Sequence, residues 1–148
     1  MRKQLVCIDP GMSGAMAYFD NDEIVRAENM PPTMPDLVDK LRELAIAHPS
    51  IHCVVERVGG YVPGNSCPAA VKFGRHCGNI EATLYALGIP TTQVAPSVWM
   101  KRLGTFPKEK KDRKNAIKAM MATQYPHLKV TRKNADALGI LTVEVNRG

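Results

Sequence analysis

Three carboxylates stand where an apolar chain would not ordinarily put them. Asp9 closes the run Leu5-Val6-Cys7-Ile8, Glu56 closes Ile51-His52-Cys53-Val54-Val55, and Asp136 falls in the first turn of an otherwise apolar segment near the end of the chain. A carboxylate at the end of a buried strand needs a cation, a donor or water, because an unpaired buried charge is expensive. Gathered by folding, the three would repel one another, and such a cluster is stable only with bound cations or raised pKa values. Oxygen ligands of this kind select Mg²⁺ or Mn²⁺, and no His/Cys set competes for a softer metal. Ions so held can activate a water and stabilise the leaving oxygen of a phosphodiester. The same residues also admit an unrelated reading: an Asp-Pro-Gly turn that satisfies its own backbone, a Glu paired with Arg57, and a helix-capping Asp.

The second chemical feature is positive charge. Lys101, Arg102, Lys108, Lys110, Lys111, Arg113, Lys114 and Lys118 crowd into one stretch around an apolar stripe. Such a run is often just a solvated helix face, but phosphate contacts dominate nucleic-acid affinity. Beside a phosphodiester-cleaving centre, Lys101, Lys108, Lys110, Lys111 and Lys114 are the candidate phosphate contacts. Arg132 and Lys133, close to Asp136, are candidates for a second contact near the scissile bond, where lysine could stabilise charge on the phosphate. Tyr61, in a glycine-rich loop over 57–66, could stack on an unpaired base or be a plain surface tyrosine. Trp99 is expected in the core.

These side chains need a frame. Leu5 to Asp9 and Gly14 to Phe19 read as strands joined by a turn at Pro10-Gly11, with a third strand over Glu23 to Glu28. Asp36 is the expected N-cap of a helix through His48, with Leu37, Leu41 and Leu44 at helical spacing. A strand over 51–56 follows, then a helix over 69–87 in which Gly74 and Gly78 share one face. A fifth strand over 91–95 and a short helix carrying Trp99 come next. A helix over 109–124 and a last helix capped by Asn134 complete the chain. The order describes one three-layer α/β domain with a mixed five-stranded sheet flanked by helices.

The chain has 148 residues, 45% of them hydrophobic, which suits one domain with a real core, spanning 1–148. No apolar run approaches the ~20 residues of a membrane span, and no signal-peptide core is present, so a soluble, cytoplasmic protein is expected. The four cysteines show neither CxxC pairing nor zinc-finger spacing. A formal net charge of +6 favours a polyanionic partner.

In this order the motifs resemble the RuvC-type Holliday-junction resolvases of the ribonuclease-H-like superfamily. IDPGMSGAMA is similar to the family's first-strand motif with its leading metal-binding Asp, here Asp9, and VVER to the second acidic motif, here Glu56. AAVKFGRHCGNIEATL resembles the helix that contributes to the family's dimer interface. VAPSVWMKRLGTF and KKDRKNAI resemble its basic segment, and NADALGIL its final acidic helix, here Asp136. The resemblance covers nearly the whole chain. It implies a ribonuclease-H-like fold and a Mg²⁺-dependent endonuclease, with Mn²⁺ able to substitute. That enzyme would be a homodimer cutting four-way DNA junctions to 5′-phosphate and 3′-hydroxyl ends, with no small-molecule cofactor. Asp9, Glu56 and Asp136 are then the catalytic metal ligands. Compactness and a short C-terminus suit a phage-encoded relative. One position departs: three residues before Asp136, where the family usually has another Asp, stands Lys133. Either three acids suffice, or Asn134 or a water fills the gap, or catalysis is impaired. The alternatives are a flap or fork nuclease of the same fold and, because of Lys133, a non-cleaving junction-binding protein.

Overall fold

A computed structural model of the chain describes residues 4–59, 64 and 66–147. Among them run β1 (Leu5–Asp9), β2 (Ala15–Phe19), β3 (Val25–Asn29), α1 (Met34–Ala47), β4 (His52–Glu56), α2 (Cys67–Ala86), β5 (Thr91–Val94), α3 (Pro96–Leu103), α4 (Lys110–Gln124) and α5 (Ala135–Asn146). The sheet order is β3-β2-β1-β4-β5. The first three strands form an antiparallel meander, whereas β4 and β5 join parallel to β1 and to each other.

Central strands covered on both faces must be apolar throughout, which explains the unbroken run before Asp9. Side chains alternate across the sheet. Leu5, Cys7, Ala15, Ala17 and Val54 face a layer containing Trp99, Ile117, Met121, Leu138 and Leu141, from α3, α4 and α5. Val6, Ile8, Met16, Cys53 and Val55 face Leu37, Leu41, Leu44, Ile80 and Leu84, from α1 and α2. Helix layers on either side of the mixed sheet give the three-layer architecture expected from the sequence.

Two caps differ from expectation. Thr33, not Asp36, caps α1: its Oγ1 accepts the Asp36 backbone N–H at 3.2 Å and donates to the Asp36 carboxylate at 2.7 Å. Pro35 lies in the first turn and has no N–H to lose there, so the helix starts before Asp36. Asn134 precedes α5 but makes no side-chain cap. Buried, it holds the preceding turn instead, accepting from Thr131 N–H at 2.8 Å and donating from Nδ2 to the Lys129 carbonyl at 3.1 Å.

Candidate metal centre

Parallel pairing of β1 with β4 sets Ile8 opposite Val55, so Asp9 and Glu56 leave the sheet side by side at its carboxyl edge. The turn after Asp9 is tight enough to demand glycine: a Cβ at Gly14 would stand 1.9 Å from the Asp9 carbonyl oxygen. α5 packs across β1 and β2 and brings Asp136, in its first turn, to the same edge. One oxygen from each of the three carboxylates lies within 4.8 Å of the others, and all three groups are half-buried.

The Asp9 carboxylate accepts no hydrogen bond from any described residue. Burial first, then Glu56 and Asp136, push its pKa up to about 8, and Lys114 pulls it back. Burial also raises the Glu56 carboxyl. The Trp99 indole works against that rise by donating from Nε1 to Glu56 Oε2 at 2.6 Å, Asp136 adds to it, and Lys114 opposes it. Asp136 is raised by burial and lowered by Lys114 and Arg113. The unrelated readings of the acids therefore fail for two of them. Asp9 does not satisfy its own turn, and Glu56 takes Trp99 rather than Arg57, whose backbone N–H bonds the Val94 carbonyl at 2.7 Å. Three oxygen donors crowded without compensating protein donors at Asp9 are a set that fits a hard divalent cation.

Of the candidate phosphate contacts, Lys114 of α4 acts on all three acids. Lys101, Lys108, Lys110 and Lys111 are exposed, on α3, in the loop after it and at the start of α4. Arg132 reaches α4 instead of the acids, donating to Asn115 Oδ1 at 2.8 and 3.2 Å. Lys133 is exposed, and Tyr61 lies outside the described residues. Phe73 of α2 lies over the turn that follows Asp9, its Cε2 3.4 Å from where a Cβ on Gly11 would stand. Asn134 does not stand in for a fourth acid, since its amide is spent on Thr131 and Lys129. Among the described residues the acid cluster numbers three. Sequence reading missed Trp99 as the partner of Glu56. The available signal was that the indole N–H of a buried tryptophan must find an acceptor.

No family model matches this chain, and neither does any curated protein. Solved structures do match. Thermus thermophilus RuvC in complex with a Holliday junction substrate aligns with a TM-score of 0.61 at 16% identity, over 95% of this chain and 91% of that one. The fold is that of RuvC. A second Thermus thermophilus RuvC structure gives a TM-score of 0.58 at 16% identity, over 94% and 91% of the two chains. The fowlpox virus resolvase, in complex with its substrate Holliday junction DNA, gives 0.53 at 10% identity, over 97% and 99%. The RuvC-like, ribonuclease-H-like architecture expected from the motifs is thus the one observed, and it sets the acid cluster at the carboxyl edge of its sheet. Among the described residues no helix is long and apolar enough to cross a membrane.

Proposed function

We propose that this chain is a divalent-metal-dependent endonuclease that resolves four-way DNA junctions. The observation that carries the reading is the meeting of Asp9, Glu56 and Asp136 within 4.8 Å, on a fold shared with two proteins solved with Holliday junction DNA. Asp9, Glu56 and Asp136 would hold Mg²⁺ or Mn²⁺. Bound there, the ion supplies Lewis-acid activation of water and neutralises charge at a phosphodiester.

The remaining work belongs to the chain's own groups. Lys114 opposes the rise in proton affinity that burial gives all three carboxylates, which favours the anionic form that captures a cation. The exposed Lys101, Lys108, Lys110 and Lys111, on α3, α4 and the loop between them, offer charge to the DNA backbone.

Paired nicks across a two-fold junction call for two active sites, hence a homodimer. α2 supports that assembly. Over 20 residues it buries only Ile80, Thr83 and Leu84, it leaves Val71 and Tyr85 exposed, and a Cβ at Gly74 or Gly78 would meet nothing within 4 Å among the described residues.

A panel of four-way junctions, flaps, forks and linear duplex, each with Mg²⁺, Mn²⁺ or chelator, tests the proposal. Symmetric nicking of the junction only with metal supports it. Preference for flaps or forks would replace it with a branched-DNA nuclease of the same fold. The absence of a fourth acid among the described residues favours one second reading, a junction-binding protein that does not cut. Tight, junction-selective binding with no nicking under any metal would establish that reading instead.

A further inference from the structure

Trp99 is fully buried and is the only tryptophan of the chain. Its ring sits in an aliphatic layer with Leu138 and Ile140, where a buried N–H without an acceptor would be costly. The acceptor it finds is Glu56 Oε2, at 2.6 Å. Two other elements make that contact possible. β5 pairs with β4 so that Val94 lies opposite Glu56, and α3, starting at Pro96, therefore begins beside this carboxylate. On the other side α5 makes room. A Cβ at Gly139 would stand 2.7 Å from Trp99 Cζ3 and 3.3 Å from Leu103 Cδ2. Gly139 lies about one turn beyond Asp136 on the same helix. The indole is thus wedged between the strand that carries Glu56 and the helix that carries Asp136.

We infer that Trp99 is a positioning residue for metal capture, holding Glu56 by one oxygen while its ring sets the seat of the Asp136 helix through the notch at Gly139. An indole suits this task because it is donor-only and uncharged. It orients the carboxylate without neutralising it and without competing for the cation. A lysine or arginine in its place would cancel the charge that the ion needs. Outer partners of this kind are typically worth about 10–100-fold in metal affinity. The inference rests on the metal-centre reading, and its test separates the two.

Mg²⁺ and Mn²⁺ binding is measured by calorimetry on the full chain without DNA. Trp99→Phe keeps the apolar bulk and removes the donor, so it should stay folded and lose about 10–100-fold in affinity. Ile117→Val, in the same core layer, should bind as the parent does. Gly139→Ala pushes a methyl into the ring and should weaken binding in the same direction, which decides the matter if Trp99→Phe fails to fold. Because the chain has one tryptophan, the emission of the parent should also change saturably with Mg²⁺, at the calorimetric midpoint. A folded Trp99→Phe that binds both ions with parental affinity overturns the inference, as does flat emission through a saturating calorimetric titration. A parent that binds neither ion overturns the metal centre itself.

Discussion

Acids gather at both ends of the sheet, and the two ends treat them in opposite ways. The pole away from β1's carboxyl end has the larger cleft, about 1010 Å³, lined in part by Asp20, His52, Glu144 and Arg147. The groove beside Glu56 measures only about 210 Å³. Yet the acids of the large cleft are provided for. Asp20 accepts backbone N–H groups from Asp22 and Ile24, both at 2.9 Å, and meets Arg26 Nε at 2.7 Å. The Ile24 N–H first, and then Arg26, hold its carboxyl below the ordinary range. Glu144 pairs with Arg147 at 3.3 Å. Asp9, Glu56 and Asp136 are crowded together with no ion pair among the described residues, and burial raises each above that range. Cleft size therefore does not mark the chemistry. An acid already paired has its charge satisfied, whereas acids that repel one another await a cation from outside.

The largest effect should come from removing one repelled charge. Asp9→Asn is expected to lower metal-dependent nicking by about 10³-fold or more, because a ligand is lost where several kcal/mol of charge stabilisation is supplied. Junction binding, read by gel shift in Ca²⁺ or chelator, should persist. Asp20→Asn, at the other pole, should leave nicking intact. Equal losses from both variants would erase the distinction between the poles. Next in size is Lys114→Ala, expected to reduce nicking by about 10²-fold, as for loss of one aimed charge. It should weaken junction binding less, since the other lysines of the segment remain.

Stability should respond with opposite signs at the two poles. For Asp9, the folded pKa of about 8 exceeds its ordinary 3.8, so the folded state holds more protons across that window. Its stabilising contribution is complete below the ordinary pKa and lost as pH rises towards 8. The melting temperature of metal-free Asp9→Asn, relative to the parent, should therefore climb between those pH values. Saturating Mg²⁺ should raise the parent alone, by about 2.7 kcal/mol at a hundredfold excess over Kd. Asp20 is the reverse case. Its lowered pKa contributes stability above the ordinary value, which is lost as pH falls below it, so Asp20→Asn should melt lower at neutral pH. A parent and an Asp9→Asn variant with parallel pH profiles would mean that the Asp9 carboxyl is not raised in the folded state.

Much of the pole that carries Asp9, Glu56 and Asp136 was legible in the chain because its signals are local. An apolar run ending in a carboxylate is visible at Asp9 and again at Glu56, and the parallel pairing of their strands brings both to one edge. What stayed hidden depends on contacts between distant segments. Lys114 cannot be told from Lys110 or Lys111 by composition; only the packing of α4 against α5 turns it towards the acids. Arg132 reads as a neighbour of Asp136 in sequence, but Asn115, 17 residues away, takes its guanidinium. Trp99 reads as core and is core. Its polar edge found Glu56 across 43 residues of chain. Asn134 reads as a cap because its residue type caps helices well, but its own turn offered it partners first.

The smallest effect is expected at the position where a fourth acid is missing. Lys133 is exposed, and the cations that Asp136 senses are Lys114 and Arg113 rather than Lys133. If three acids and Lys114 complete the site, Lys133→Asp changes nicking by no more than about fivefold, the range of an exposed charge. A much larger gain would mean that the parent lacks a ligand and is an impaired nuclease. The parent's own activity then decides between the remaining cases. An active parent with an indifferent Lys133→Asp points to a three-acid centre. An inactive parent that Lys133→Asp does not rescue leaves the acids able to bind a cation but not to cut, and the protein becomes a junction-binding one.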